Sequence, residues 1–347
     1  MKRIERHPEK FDVIGLFNAM GIREGYSLLD EASIGQFCNK IAEAIRQSKA
    51  NPRLVHGLRV ESMFGYVAAC LGKCAAVKQE DAGELYVEDT DVQPPDYRIV
   101  LDNGDEWFVE VKNCHEMDVT AQYTRKDTYL RALTNYADLF NTPLQLAIYW
   151  SRWNVWTLIP VGGLNAHGDR HSVSMQQAVK ISEMSMLGDC MIGTTPPLMF
   201  RLKTDPNEPR SIDDAGKVIF TIGDVQFYCG DMRIEDEFER SLAFYFMMFG
   251  DWPVGEPEAR IENGELLSID FVTAPEHATP RQGFEFLGSL SGAISRYYSC
   301  LTVSDQGVER LTPSVEPGAL GVLIPANYEG KHLPLWRFSL QPTSQGR

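Results

Sequence analysis

The chain has 347 residues, of which 44% are hydrophobic and 23% charged, a composition typical of a globular protein with room for two cores. The formal net charge of −15 argues against general affinity for nucleic acid, because polyanion binding normally needs a basic surface. No apolar run reaches membrane-spanning length and the charged N-terminus does not resemble a signal peptide, so we expect no membrane partner. Seven scattered cysteines without a Cys-x-x-Cys pair are typical of reduced thiols and favour a cytoplasmic location.

Residues 1–50 are predicted to form an N-terminal helical extension. Ser27 or Asp30 can cap a helix whose apolar residues recur at helical spacing, namely Ile34, Phe37, Ile41 and Ile45. Between Lys40 and Lys78 the basic residues outnumber the acidic ones. This local excess is compatible with a basic patch and equally with an ordinary solvated helical surface.

The next helix is predicted over about Val55 to Leu71, followed by a strand at 75–80 and an acidic loop at 81–94. Glu61 lies beside its apolar stripe, on a line continued by Gly65, Ala68 and Gly72. Small residues on that line would let the helix approach a sheet closely. We therefore expect Glu61 to lie near the sheet, with a surface carboxylate as the alternative.

Residues 95–112 predict a β-hairpin, because two strand-like runs flank the turn Asp102-Asn103-Gly104. A two-residue loop at Asn103-Gly104 would mix polar and apolar side chains on both faces. A three-residue loop, with Gly104 in the left-handed conformation, pairs Leu101 with Asp105 and separates the two kinds of side chain more cleanly. We predict this second register, which places Asp96 opposite Glu110 with Cβ atoms about 5 Å apart.

In that register Asp96, Glu110 and Lys112 project from one face. Two carboxylates at that distance repel each other unless a cation lies between them, and Mg²⁺ (or Mn²⁺) suits one or two carboxylates with water and phosphate. The Val111 carbonyl can complete the coordination. Lys112 can orient or help to deprotonate a bound water, or neutralise developing phosphate charge. The alternative is a solvated edge hairpin, which the valines on either side of Glu110 disfavour.

The pattern Pro95-Asp96, thirteen residues, then Glu110-Val111-Lys112 on a hairpin resembles the PD-(D/E)XK nuclease superfamily. That superfamily includes restriction endonucleases, archaeal Holliday junction resolvases and RecB-type exonuclease domains. The resemblance covers roughly residues 50 to 160 and does not identify a subfamily. It implies a restriction-endonuclease-like α/β fold, a mixed central sheet flanked by helices. It also implies metal-dependent cleavage of nucleic acid by Asp96, Glu110 and Lys112. Members often carry a helical acid ahead of the Asp, so the resemblance adds Glu61 to the catalytic and metal-binding set.

A helix is predicted from about Ala121 to Phe140, where aromatic and leucine residues follow helical periodicity. Gln122 and Tyr129 resemble a Gln…Tyr element that follows the catalytic Lys in RecB-like nucleases. Arg125 and Lys126 can contact phosphates from the exposed side of this helix. These four residues are the predicted substrate contacts, with an ordinary amphipathic helix as the alternative.

Strands are predicted at 144–150 and 155–159, which completes a mixed α/β sheet. His167 and His171 fall in a predicted loop and are not expected to bind metal. A Met-rich helix over 172–187 and a strand over 198–202 are predicted to close a domain that spans residues 51–204. Residues 204–209 are the predicted linker.

Residues 210–347 are predicted to form a smaller α+β domain. It contains hairpins around Gly223-Asp224 and Asn263-Gly264 and helices over 237–249 and 284–299. No motif assigns chemistry to this part of the chain. It can bind a protein partner, mediate homo-oligomerisation or select substrate.

The sequence therefore favours a Mg²⁺- or Mn²⁺-dependent nuclease whose partner is nucleic acid, with DNA ahead of RNA, acting in restriction, repair or anti-phage defence. One alternative is a non-catalytic binding or scaffold protein with the same fold, which the acidic net charge favours. A third possibility is another metal-dependent phosphohydrolase, because an ion site does not reveal its substrate.

Overall fold

The computed structural model describes residues 1–4, 7–80, 85–88, 91–213, 216–279 and 281–342. Its architecture is mixed α/β, as predicted at the level of fold class. The elements of the first half, in chain order, are α1 (Pro8–Glu24), α2 (Glu31–Lys49), α3 (Pro52–Cys70), β1 (Cys74–Gln79), β2 (Tyr97–Leu101), β3 (Glu106–Cys114), β4 (Gln122–Lys126), α4 (Asp127–Leu139), β5 (Leu144–Trp150), β6 (Val155–Pro160), β7 (Asn165–His167), β8 (Arg170–Ser174), α5 (Met175–Lys180) and β9 (Met191–Thr194).

The elements of the second half are β10 (Leu198–Thr204), β11 (Arg210–Ile212), β12 (Val218–Phe220), β13 (Ile222–Cys229), β14 (Met232–Ile234), α6 (Glu237–Phe249), β15 (Glu258–Glu262), β16 (Glu265–Thr273), β17 (Glu285–Ser289), α7 (Leu290–Thr302), β18 (Val303–Ser304), β19 (Gly307–Val308) and β20 (Leu335–Phe338). In the described part of the chain no helix is both long and apolar enough to cross a bilayer. The predicted loop 81–94 lies in part outside the described residues, at 81–84 and 89–90.

The predicted N-terminal helices form as α1 and α2. Of the two candidate caps, Asp30 is the one used, because its side chain accepts a hydrogen bond from the Ala32 amide. The helix α3 begins at Pro52 behind the cap Asn51, whose side chain accepts from the Leu54 amide. Capping by a short polar side chain thus sets where α2 and α3 begin.

The first sheet has the strand order β1-β2-β3-β5-β6. Only β3 and β5 are parallel, and the other neighbours are antiparallel. Because side chains alternate along a strand, Val109 and Val111 of β3 pack with α3, whereas Phe108 packs with Leu133 and Tyr136 of α4. The predicted mixed sheet with a helix on each face is confirmed.

A small sheet of order β4-β8-β7 replaces two predicted helical segments. The predicted helix from Ala121 is wrong at its start, because residues 122–126 form a strand that inserts Tyr123 into a core with Trp150 and Val173. The helix predicted over 172–187 is partly correct: residues 172–174 belong to β8, and the helical residues form two short pieces, α5 and a 3₁₀ segment over Met184–Leu187. A capping box between Ser174 and Gln177 begins the short helix α5 only after β8 has ended.

The second sheet has the order β14-β13-β10-β16-β15. The predicted strand at 198–202 forms as part of β10, but it pairs with β13 and β16 and does not extend the first sheet. The predicted hairpin around Gly223-Asp224 is wrong, because β13 runs straight through both residues. A Cβ at Gly223 would lie 2.9 Å from the Asp205 Cα, so this glycine permits a close backbone approach and does not make a turn.

The remaining predictions for residues 210–347 are partly correct. The helix α6 forms over Glu237–Phe249, and Asn263-Gly264 turns the hairpin of β15 and β16 with both residues at positive φ. The helix predicted over 284–299 is wrong at its start. Residues 285–289 form β17, and the Ser289 side chain caps α7 by accepting from the Gly292 amide.

The helix α7 completes the core of the first sheet, although it comes late in the chain. Ile294 and Tyr298 belong to the same buried cluster as the α3 face of that sheet. The buried Arg59 of α3 donates to hydroxyls of α7, at 2.7 Å to Ser299 and 2.9 Å to Thr302. The division of the chain into residues 1–50, 51–204 and 210–347 stays a prediction.

Candidate functional site

The hairpin of β2 and β3 has the predicted register. Tyr97 pairs with Val109, and the Leu101 amide donates to the Asp105 carbonyl at 2.8 Å. Gly104 has a φ of 89°, which a residue with a side chain rarely adopts. The three-residue loop is therefore confirmed, and with it the face shared by Glu110 and Lys112.

Asp96 immediately precedes β2, at the point where β3 loses β2 as a partner and stays paired only with β5. The pairing of β3 with β2 stops at Val109, but β3 runs on to Cys114. Beyond that point the Val111 amide donates to Asp96 Oδ2 at 2.7 Å. A carboxylate oxygen thus takes the position of a strand partner beside Glu110 and Lys112.

Glu110 and Lys112 form a buried ion pair on the α4 side of the sheet. Their side chains are 3% and 17% exposed. The Lys112 ammonium and the Tyr129 hydroxyl both donate to Glu110 Oε1. Lys112 Nζ also lies 5.4 Å from the centre of the Tyr129 ring, within the range of a cation–π contact. Tyr129 therefore contacts both members of the ion pair.

The carboxylates at this site outnumber the cations. Burial raises the pKa of Asp96 to about 7, with a further contribution from the Glu110 carboxylate, and the Lys112 ammonium and Val111 amide only partly offset the increase. Burial alone would lower the pKa of Lys112, but Glu110, Tyr129 and Asp96 outweigh it and raise that pKa above its ordinary value. Lys112 is therefore a cation at neutral pH.

Glu61 belongs to the same electrostatic environment. Burial raises the pKa of this half-buried carboxyl, Lys112 lowers it and Glu110 raises it again. The predicted close approach of α3 to the sheet is present, because a Cβ at Gly65 would lie 2.8 Å from the Tyr97 hydroxyl. Glu61 is thus a third carboxylate that interacts with the Glu110–Lys112 pair.

The four predicted substrate contacts do not lie on one helical surface. Gln122, Arg125 and Lys126 belong to β4, and only Tyr129 lies on α4. Alternation along β4 puts Gln122 and Lys126 on one face and Arg125 on the other, where its guanidinium lies 4.2 Å from the centre of the Tyr123 ring. The prediction of a shared helical surface is wrong because residues 122–126 are extended.

Sequence reasoning missed Arg170, which β8 places directly opposite Lys126. Arg170 follows a two-residue turn, Gly168-Asp169, in which Gly168 has a φ of 59°. A Gly-Asp dipeptide between strand-like residues is a recognised hairpin signal and could have revealed this pairing.

The donor set is suited to a small divalent ion. No cluster of three or more His, Cys, Asp and Glu side chains in the described ranges is arranged to hold a metal ion. Mg²⁺ does not need such a cluster, since it commonly binds through one or two carboxylates and completes its shell with water and substrate oxygens. Asp96, Glu110 and a backbone carbonyl at Val111 fit that requirement. The ligand roles of these residues and of Glu61 stay predictions.

Comparison with known proteins adds a distant similarity to a solved structure. No protein-family model and no curated protein matches the chain. Among solved structures, the chain is similar to Hjc, a Holliday junction resolvase from the archaeal hyperthermophile Archaeoglobus fulgidus, at 14% sequence identity. The match covers 30% of this chain and 79% of the resolvase, with a TM-score of 0.24. A similarity of this size does not assign the chain to a family.

Proposed function

We propose that the protein is a Mg²⁺- or Mn²⁺-dependent nuclease that hydrolyses phosphodiester bonds in nucleic acid, DNA ahead of RNA. The observation that carries this proposal is the surplus of carboxylate around Asp96 and Glu110, with Lys112 as the cation on the same strand face. A divalent cation would relieve that surplus. The resemblance of residues 95–112 to the PD-(D/E)XK pattern supports the same reaction.

In this proposal Asp96, Glu110 and the Val111 carbonyl would hold the ion, and Glu61 would act on the water that the ion binds. A divalent ion bound there supplies a water of lowered pKa and screens the negative charge of the phosphodiester. The Val111 amide orients Asp96 through its hydrogen bond to Oδ2. Tyr129 orients Glu110 through its hydroxyl.

Lys112 and Glu61 have complementary protonation roles. Because its pKa is raised, Lys112 stays protonated at neutral pH and donates hydrogen bonds to the attacking water or to a phosphate oxygen. Glu61, whose pKa is also raised, accepts a proton more readily than an ordinary glutamate and is the candidate acceptor for the proton of that water.

The test is incubation of the purified protein with plasmid, linear, single-stranded and branched DNA and with RNA, in Mg²⁺ or Mn²⁺. We expect cleavage of at least one substrate that is lost on addition of EDTA. Lys112→Ala should reduce the cleavage rate by at least about 10²-fold, the scale at which loss of one electrostatic donor acts. It should leave ion binding measurable by calorimetry. Cleavage by Lys112→Ala at the wild-type rate would remove Lys112 from the mechanism.

A second candidate function is a non-catalytic scaffold in a nucleic-acid-processing assembly. Two observations favour it: the net charge of −15, and the fact that Glu110 already has Lys112 and Tyr129 as partners inside the protein. Calorimetric titration with Mn²⁺ separates the two. Absence of ion binding, together with absence of any effect of Asp96→Asn, would favour the scaffold. In either case we propose that residues 210–347 select the substrate or mediate association with a second copy or another protein.

A further inference from the structure

The small sheet β4-β8-β7 carries a row of exposed basic side chains. Its register places Lys126 opposite Arg170 and Arg170 opposite His167. Residues directly opposite each other in antiparallel strands point to the same face, so the three side chains form one line across the sheet. All three are exposed. With strands about 4.8 Å apart, the line is about 10 Å long.

This row is not neutralised by the protein itself. Like charges placed directly opposite each other on paired strands are destabilising. Asp127, the acid next to Lys126, is engaged by His171 and Arg131. Across the described ranges of the chain neither Lys126 nor Arg170 forms an ion pair, and Arg170 instead donates to the Thr124 hydroxyl at 2.8 Å. In a chain of net charge −15, an uncompensated basic row points to an anionic ligand.

The rest of this face consists of uncharged polar side chains. Its accessible members in the three strands are Gln122, Thr124 and Asn165, whereas Ser172 and Ser174 on the same face are buried. The face contains no carboxylate and no Phe, Tyr or Trp. Hydroxyl, amide and basic groups donate hydrogen bonds to phosphate oxygens, whereas base recognition in single strands depends largely on stacking on aromatic rings. The composition therefore suits a phosphate backbone and does not provide a platform for stacked bases.

The row is also connected to the candidate site. Lys126 is the residue immediately before α4, and Tyr129, one turn later, contacts Glu110. We propose that the β4-β8-β7 face binds the phosphodiester backbone of the nucleic acid presented to the Asp96–Glu110 site, largely without regard to sequence. This inference rests on the proposed function. It names Arg170 and His167 as backbone contacts beside Lys126.

The test compares two double variants of the full chain that remove the same charge. Lys126→Gln with Arg170→Gln changes the basic row, and Arg46→Gln with Lys49→Gln changes exposed positions on α2. Binding is measured by fluorescence anisotropy in EDTA, so that no cleavage occurs, with a duplex DNA, a single-stranded DNA of the same sequence and an RNA. Thermal unfolding checks that both variants are folded.

For the probe that the wild type binds best, we expect the row variant to bind at least about tenfold more weakly. If that probe is the duplex, the slope of log affinity against log salt should fall by about 1.8, because each lost phosphate contact contributes about 0.9. The α2 variant should stay within about twofold of the wild type.

Three outcomes are decisive. Equal affinity of the row variant and the α2 variant overturns the inference and leaves the wild-type cleavage assay as the judge of the nuclease proposal. Binding that depends on the row, without cleavage by the wild type under any metal condition, supports the surface and overturns the nuclease proposal. A wild-type protein that binds none of the three probes overturns the inference, and it overturns the nuclease proposal as well if the same protein cleaves none of the substrates in Mg²⁺ or Mn²⁺.

Discussion

The buried Asp270 and the half-buried Asp96 have opposite electrostatic surroundings. Asp270, on β16 of the second sheet, is 1% exposed and accepts hydrogen bonds from Arg201 at 2.7 Å to each oxygen and from Arg260 at 2.6 Å. Burial raises the pKa of Asp270, but the two guanidinium groups outweigh it and leave that pKa below its ordinary value. The pKa of Asp96 is instead raised to about 7, by burial and by Glu110.

The difference shows that a buried carboxylate does not by itself indicate a functional site. At Asp270 the protein provides more positive than negative charge, so the cluster is complete without a ligand. At Asp96, three carboxylates interact with one ammonium group, so a cation from solution would lower the free energy of the folded state. The balance of charge around the aspartate separates a structural cluster from a candidate ion site.

Ion binding gives the largest expected difference between the two regions. Asp96→Asn should weaken Mn²⁺ binding by at least about 100-fold, because a charged ligand is lost where even outer-shell changes cost 10- to 100-fold. Glu258→Gln, at an exposed carboxylate of β15 in the second sheet, should leave it unchanged. Both are measured by isothermal titration calorimetry. If Asp96→Asn bound Mn²⁺ with the wild-type affinity, the carboxylates around Asp96 would not form the ion site.

In urea unfolding the order of the two aspartates should be reversed, because substitution of Asp270 should cost more stability than substitution of Asp96. Asp270→Asn leaves two guanidinium groups without their carboxylate and should lower the free energy of unfolding by about 3 kcal/mol, as expected when one partner of a buried ion pair is removed. Asp96→Asn, measured without metal at pH 8, should leave that free energy equal or higher. If Asp96→Asn lost more stability than Asp270→Asn, the negative charge at Asp96 would not be the uncompensated one.

The pH dependence of stability should have opposite signs at the two aspartates. The pKa of Asp96 is raised above its unfolded value of about 3.9. Its contribution to stability is therefore full below about pH 4 and is lost as the pH rises through about 7. The lowered pKa of Asp270 makes its contribution full above its unfolded pKa, and this contribution is lost as the pH falls below that value. Melting temperatures of the metal-free wild type and both Asn variants from pH 2.5 to 8 measure both changes in stability. Parallel curves would contradict it.

The smallest expected effect is on the free energy of unfolding, at two tyrosines beside the first sheet. Tyr129→Phe removes the hydroxyl that donates to Glu110 but keeps the ring beside Lys112, so we expect a loss of about 1–2 kcal/mol of stability. The buried Tyr123 hydroxyl has no hydrogen-bond partner among the described residues, so Tyr123→Phe should be neutral or stabilising. Urea unfolding of both variants checks this. Equal losses would mean that the Tyr129 hydrogen bond contributes nothing specific.

The register of the β2–β3 hairpin could be predicted from sequence because local side chains decide it. Only one pairing of residues 95–112 separates polar from apolar side chains, and Gly104 allows the matching turn. The start of α4 could not be predicted in the same way. The helical periodicity that follows Tyr129 is not interrupted by a helix breaker in residues 122–126, so the sequence predicts a longer helix. These residues form a strand because Tyr123 is buried against Trp150, a contact that the local sequence does not show.

The Asp270 cluster was beyond prediction for a different reason. Arg201 becomes its partner only because β10 pairs with β16, and Arg260 because β15 does. No spacing along the sequence brings these three residues together. At the candidate site the hairpin itself supplies Asp96, Glu110 and Lys112. The contact of Tyr129 with Glu110 and the placement of Glu61 depend on tertiary packing.

The packing of α7 against the first sheet has a consequence for biosynthesis. Strand β6 ends at Pro160, but helix α7, whose Tyr298 packs in one cluster with Trp156 of β6, ends only at Thr302. At roughly 5–20 residues per second, the ribosome needs on the order of 10 s to make the segment between them. During that interval the apolar side chains that α7 later covers lack their native packing partner, so the core of the first sheet cannot be completed until α7 has been synthesised.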